Sequence, residues 1–503
     1  MGRTRAVGLL GLEARLVDVE AQRADGVPNL RIVGMADTAL SEARERVRAA
    51  LASCGIGLPN RRLLVNLSPA ALPKTGAGFD LAIAVALVAS GGMPGTGQAR
   101  RAVHLGELGL DGRVHPVRGV LPMVAAAVAA GARNVVVSAA NAREAALVPG
   151  AQVMAIEHLS QLLADYGALD APVTSWEPLP EAPASHTPAP HLDLADVVGQ
   201  PVARRALEVA AVGRHHLSMI GPPGAGKTLL ARRLPTILPD LTDAEAVEVT
   251  ALHSVAGILD PHQGLIRRPP LQAPHHTASR AAIVGGGPGI PLPGAISTAH
   301  HGVLFLDEAA EFPAAVLQTL RQPLEEGHIT LHRAKAAARY PAQFQLVLAS
   351  NPCPCGGVHC TCSPGEIRRY RAKLSGPLMD RVDIRLTVPR PTQAMRALDE
   401  RVDDSATVAQ RVRAARERAV FRYRDLPWEV NGQAPGTWLR SELPRDVRAV
   451  LDRALQRGML TMRGVDRALR VAWSLADLAG AARLDVALVG EALGLREGAH
   501  DEL

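Results

Sequence analysis

The chain has 503 residues, 47% of them hydrophobic and 21% charged, and a formal net charge of +6. That length corresponds to about three domains of ordinary size. The longest uncharged stretches, such as Val120 to Ala132, fall short of the roughly 20 apolar residues that span a bilayer, and no small-residue cleavage site follows the basic start, so a cytoplasmic protein with no membrane partner is expected.

The positive balance permits an anionic partner without demanding one. Aromatic residues at 3% argue against a surface built mainly from stacked bases, which leaves the nucleic-acid backbone as the likelier handle if one is bound. Of 55 basic residues only four are Lys, at positions 74, 227, 335 and 373.

Residues 1–168 read as one α/β domain with short strands and Ala-rich helices. The patterning predicts an exposed helix over Ser41–Arg48, a strand over Leu63–Leu67, a buried helix over Phe79–Ala89 and a strand over Val135–Val137. Pro73-Lys74-Thr75-Gly76-Ala77-Gly78 and Gly106-Glu107-Leu108-Gly109-Leu110-Asp111-Gly112-Arg113-Val114-His115-Pro116-Val117-Arg118-Gly119 resemble two segments of the Lon-type protease domain, which has the ribosomal-protein-S5-like fold. The nucleophilic Ser of that family would fall at Gly78 and its Lys partner at Leu121. A dyad needs a hydroxyl and an amine to take its proton, so a Lon-like fold without peptidase chemistry is expected. Lys74 is read as a solvated surface residue. Residues 169–190, with six prolines from Ala171 to Pro190, read as a semi-rigid linker.

Residues 191–390 contain Gly221-Pro222-Pro223-Gly224-Ala225-Gly226-Lys227-Thr228, a complete phosphate-binding loop between an apolar run, Leu217–Ile220, and a helical pattern. Its backbone N–H groups can close on phosphate oxygens, Lys227 can reach the outer phosphates and Thr228 can ligate Mg²⁺. The strand Val303–Leu306 ends in Asp307, placed to hold Mg²⁺, and Glu308, placed to polarise the attacking water of ATP hydrolysis. Four thiols, Cys353, Cys355, Cys360 and Cys362, could complete a tetrahedral Zn²⁺ site, with reduced, unliganded thiols as the rival reading. Three adjacent histidine pairs, at 215/216, 275/276 and 300/301, are read as pointing opposite ways along extended chain and serving ordinary hydrogen bonds. The basic run Arg368–Lys373 could face DNA or a subunit contact.

Further motifs make the resemblance wider. They include Asp196-Val197-Val198-Gly199-Gln200, Ala273–Ser279, Gly285-Gly286-Gly287, Leu320–Gly327, Asn351-Pro352-Cys353-Pro354-Cys355-Gly356 and Leu378-Met379-Asp380-Arg381-Val382-Asp383. Together they resemble the ComM/YifB family of magnesium-chelatase-like AAA+ ATPases over nearly the full chain. The resemblance implies that Gln200 belongs to the adenine-packing segment, that Asn351 senses the γ-phosphate, and that Arg381 is an arginine finger acting on a neighbour's nucleotide, with an ion pair to Asp380 or Asp383 as the plainer account. Residues 391–503 then form a helical lid, with Arg463 as second sensor and Arg467 a weaker candidate. Residues 262–300 become an insert facing the ring channel, and Gly327–Tyr340 a hairpin whose His332, Arg333, Lys335 and Arg339 contact DNA phosphates. The implied activity is that of a hexameric ATP-driven motor on single-stranded and branched DNA, promoting branch migration in recombination and natural transformation beside recombination proteins. The alternative is a chelatase-like remodelling subunit that works on a protein partner.

Overall fold

A computed structural model describes residues 1–34, 37–69, 74, 76–173, 192–287, 290–333, 337–357, 360–374, 376–392, 402–441, 443–458 and 460–497. Most of the predicted linker lies outside these residues. Among the described residues no helix is long and apolar enough to cross a membrane.

The N-terminal part is a seven-stranded sheet in the order Asn29–Val33, Arg62–Ser68, Glu13–Ala24, Gly2–Leu10, Val103–Leu105, Asn134–Ser138, Gln152–Ile156. Gly2–Leu10 and Glu13–Ala24 form an antiparallel hairpin that turns at Gly11, whose φ of 65° suits glycine. The helix Asp80–Ala89 is apolar on every side because it is buried on nearly every side. Its one charge, Asp80, is fully buried and takes two hydrogen bonds from Arg46, at 2.6 and 3.3 Å. Burial pushes its carboxyl up to about 6 against the pull of Arg46.

Two expectations about this part are corrected. The helix around Ser41–Arg48 runs from Asp37 to Ser53 and is exposed on one side only, since Ala43, Val47, Ala50 and Leu51 are buried. Lys74 is not solvated: only 2% of it is exposed, its ammonium donates to the Pro69 carbonyl, and burial lowers its basicity. Gly78 lies in a 3₁₀ turn, Ala77–Phe79, and Leu121 is buried at the start of the helix Val120–Ala129.

The central part is a five-stranded parallel sheet in the order Leu271–Gln272, Val303–Leu306, Gln345–Ser350, Leu217–Ile220, Ile384–Thr387. Period-two alternation assigns its side chains to two cores. Phe305, Val347, Leu217 and Ile384 join the helices Pro201–Gly213 and Lys227–Ile237 and the C-terminal helices Ser405–Arg422, Met462–Ala479 and Val486–Glu497. Leu304, Leu306, Leu346 and Leu348 instead meet Leu252 and Val255 of the helix Asp243–Ala256, together with the residues around Ile283 and Ile296.

The N-terminal part is joined to this second layer through a buried carboxylate. Glu144 accepts from the Leu121 amide at 2.8 Å, from Asn141 Nδ2 at 3.4 Å and from the Ser254 hydroxyl of the helix Asp243–Ala256. Removing an acceptor that satisfies several buried donors costs about 2–3 kcal/mol. Glu144→Ala should therefore lower the thermal midpoint of the full chain by several degrees, read by scanning calorimetry, while Glu144→Gln, which keeps an acceptor, should lose less.

Candidate nucleotide site and adjoining hairpins

The phosphate loop leaves the strand Leu217–Ile220 and re-enters the helix Lys227–Ile237, with Gly224 and Gly226 at φ of 78° and 92°. Only glycine takes such angles without strain, and a Cβ at either position would meet nothing within 4 Å, so the backbone angle rather than crowding asks for glycine here. The Lys227 ammonium donates to the carbonyls of Gly221 and Pro222 at 2.5 and 3.1 Å and to Asn351 Oδ1 at 3.2 Å. Burial lowers its basicity, opposed by Asp307 and Glu308. Thr228 donates to Asp307 Oδ2 at 2.6 Å.

These groups line a cavity of about 410 Å³ with Pro223, Ala225, Leu229 and Ser350. A hydroxyl and a carboxylate oxygen this close suit hydrated Mg²⁺, a hard cation that keeps much of its water. A larger cleft, about 680 Å³, is lined by Arg214, Glu325, Asp383, Arg467 and Arg470 and by no residue of the phosphate loop. Size alone would choose it, whereas the donor set for phosphate and metal belongs to the smaller cavity.

Gln200 is buried and bridges the loop to the segment just beyond the edge strand Ile384–Thr387, donating to the carbonyls of Ala225 at 3.3 Å and Pro389 at 2.6 Å. Neither Arg381 nor Arg463 lines this cavity. Arg381 donates to the Pro377 carbonyl and pairs with Glu325, not with Asp380 or Asp383. Burial lowers its basicity, as do the neighbouring cations Arg321, Arg467 and Arg463. Arg467 donates to the buried Asp383 at 2.8 Å. These arginines neighbour one another, and none of them lines the phosphate-loop cavity.

Sequence reasoning missed the partner of Glu308. His276 Nδ1 lies 3.1 Å from Glu308 Oε2, on the segment that follows the edge strand Leu271–Gln272. The only sequence signal was the pair His275-His276, whose expected divergence fails. The two rings lie 4.2 Å apart, and those of His300 and His301 lie 3.9 Å apart. The backbone at these pairs is not extended, and His301 has φ of 55°. His300 and His301 both face Glu248, at 3.3 and 3.6 Å. The ordinary hydrogen-bonding expectation fits His215, which lies 3.1 Å from Asp383 and 2.8 Å from Ser474.

From His276 the chain runs through the helix Arg280–Val284 into a short hairpin, Gly285–Gly286 with Leu292–Pro293. A second hairpin pairs His328–His332 with Ala337–Pro341. Its inner face buries Ile329, Ala338 and Tyr340, leaving His332, Arg333 and Arg339 exposed. Lys335 lies outside the described residues. The Arg333 guanidinium sits over Gly286, within 2.8 Å of where a Cβ would stand, so the two hairpins touch. The run Arg368–Lys373 lies on the helix Pro364–Ala372, and Lys373 approaches Glu311 at 3.4 Å.

The thiols of Cys353, Cys355, Cys360 and Cys362 gather within 4.8 Å of one another in the loop after Asn351. Burial pushes Cys353 up to about 12, and the Gly357 N–H draws Cys355 down to about 6.

Family models place this arrangement. Subunit ChlI of Mg-chelatase matches residues 19–141, magnesium chelatase subunit ChlI matches 193–396, and its C-terminal region matches 402–496. Competence protein ComM of Haemophilus influenzae is 38% identical over 97% of this chain and 96% of its own, and YifB of Escherichia coli is 39% identical over 94% and 92%. The chain belongs to the ComM/YifB family of magnesium-chelatase-like AAA+ proteins. An uncharacterized protein of Mycobacterium tuberculosis is 48% identical over 99% of both chains. Lon protease 2 of Bacillus subtilis is 34% identical over 152 residues, 28% of this chain and 26% of its own, in keeping with the Lon-like N-terminal part.

An imidazole 3.1 Å from the Glu308 carboxylate offers it a partner that competes with an attacking water, most strongly when the ring is protonated. His276→Ala should raise basal ATP turnover about threefold or more and leave nucleotide affinity unchanged, as read by steady-state hydrolysis beside fluorescent-ADP binding. Unchanged turnover would make the contact incidental.

Proposed function

We propose that the chain is an ATP-hydrolysing motor that assembles into a ring, most simply a hexamer, and drives branch migration of DNA during recombination and natural transformation in the cytoplasm. In this reading Lys227 and the phosphate loop hold the triphosphate. Thr228 and Asp307 hold Mg²⁺, which neutralises phosphate charge when bound. Glu308 aligns the water and Asn351 contacts the outer phosphate. Arg381 and Arg463, neither of which lines the cavity of their own chain's loop, serve the nucleotide of an adjacent subunit, where a guanidinium can offer several donors to transition-state oxygens.

The observation that carries the reading is the short path from Glu308 to the exposed cations. His276 approaches Glu308, and ten residues onward Gly286 touches Arg333. A polyanion gripped by Arg333, Arg339, His332 and Lys335 could thereby bias the hydrolytic base, and hydrolysis could move the grip. The name of the Haemophilus relative, competence protein, agrees with a DNA substrate.

A second reading, remodelling of a protein partner in the manner of magnesium chelatase, is favoured by the three matching chelatase models. One experiment separates the two. ATP hydrolysis should rise with single-stranded or forked DNA, and a labelled four-way junction should be resolved into duplex products only with hydrolysable nucleotide. Absence of both effects promotes the remodelling reading.

Charge reversal of the hairpin supplies a finer check. Arg333→Glu combined with Lys335→Glu should weaken DNA binding about tenfold or more at moderate salt and flatten its salt dependence, with nucleotide affinity unchanged. Equal loss of both affinities would mean that the hairpin is only structural.

A further inference from the structure

The four thiols that the ATPase chemistry leaves unused occupy the loop between the strand Gln345–Ser350 and the helix Pro364–Ala372. Their Sγ atoms lie within 4.8 Å of one another, with Cys353 and Cys355 at 3.3 Å, and none is in a disulfide. A tetrahedral site with Zn–S bonds of about 2.3 Å needs sulfurs about 3.8 Å apart, so small shifts convert the cluster into a ligand set. The two halves of the cluster are anchored separately. Cys353 and Cys355 leave the end of the strand, while Cys360 and Cys362 precede Ser363, whose side chain caps the helix reciprocally with Glu366. Backbone N–H groups of Gly357 and Thr361 approach the Cys355 sulfur.

The same loop supports the nucleotide cavity. Gly356 has φ of 58°, and a Cβ there would stand 3.3 Å from Pro223 Cγ and 3.4 Å from Asn351 Nδ2. Asn351 in turn receives the Lys227 ammonium. Between Asn351 and Ser363 the described residues form only turns and irregular chain, so the backing of Asn351 and Pro223 depends on whatever ties the loop together.

We propose that Cys353, Cys355, Cys360 and Cys362 bind one Zn²⁺, and that the metal acts as a brace holding Asn351 and the lip of the phosphate loop in register. The brace rests on the ATPase reading; the metal site does not. The four cysteines are ligands, and Gly356 is a positioning residue.

The full-length protein, expressed with zinc in the medium, should contain about one zinc per chain by plasma mass spectrometry, released by a mercurial reagent. Cys360→Ser should lose it. In that variant fluorescent-ADP affinity should stay within about threefold while kcat falls about tenfold or more, because small misplacements of reacting groups cost that much. Gly356→Ala should keep its zinc and lose turnover, through strain at a left-handed position and pressure on Pro223 and Asn351. It carries the test if Cys360→Ser does not fold.

Wild-type protein with less than about a fifth of a zinc per chain and four freely titrating thiols would overturn the metal site. Zinc loss with unchanged kcat would overturn the brace. Zinc-loaded wild-type protein that never hydrolyses ATP would overturn the ATPase reading and the brace with it, while leaving the metal site standing.

Discussion

The hydrogen bond from Thr228 to Asp307, 2.6 Å long, joins elements that the sheet keeps apart. Thr228 follows the strand Leu217–Ile220 and Asp307 follows Val303–Leu306, with Gln345–Ser350 between them. In a parallel sheet such a crossing leaves a crevice at the carboxyl ends of the strands, where ligands bind. The intervening strand contributes Asn351, which meets Lys227 across the crevice. Three strands thus deliver an ammonium, a hydroxyl, two carboxylates and an amide to one cavity, each on a rigid element. The remaining features are placed by their distance from this convergence.

The C-terminal helices are fastened to the sheet by polar groups as well as by apolar packing. Burial alone would raise the carboxyl of Asp383, but Arg467 and His215 outweigh it and hold it far below the usual carboxylate range. His215 continues to Ser474, Ser474 to Asn431, and Asn431 to Asp477, which pairs with Arg422. A buried charge is tolerable only with its partners in place, so the network admits one docking of the C-terminal helices on the sheet more readily than a sliding apolar contact would. Asp383 also lies two residues from Arg381, so under the proposed function the cation offered to a neighbouring subunit shares its mounting with the C-terminal helices.

What could be read from the sequence follows from how local the determinants are. The phosphate loop, the acidic strand and the strand that ends at Asn351 are contiguous patterns with fixed periodicity, and the chain order of these parts was legible. The N-terminal helix around Ser41–Arg48 looked exposed because its buried stripe, Ala43, Val47 and Ala50, is made largely of alanine. The burial of Lys74 and the pairing of Arg381 with Glu325 were not legible, since each depends on which segments the fold brings alongside. The His276–Glu308 contact is of the same kind. It joins residues 32 positions apart through the edge of a sheet, and no periodicity announces it.

Placement of the N-terminal part bears on how the hairpins could work. Its first hairpin turns at Gly11, and a Cβ there would stand 3.1 Å from the Arg339 carbonyl, midway along the second strand of the basic hairpin. Leu9 and Leu12 pack into the core that also holds Ile329 and Tyr340. Tyr340 donates to the Pro291 carbonyl at 2.7 Å, which ties the basic hairpin to its glycine-rich neighbour. A loop that must transmit force cannot be supported by its own strands alone, because a two-stranded ribbon is marginally stable in water. Here it rests against a Lon-like domain on one side and against the insert on the other. Under the proposed function this gives a domain without a serine–lysine dyad a mechanical role: it stiffens the basic hairpin, so that motion at Glu308 and His276 is delivered to the exposed arginines rather than lost in bending.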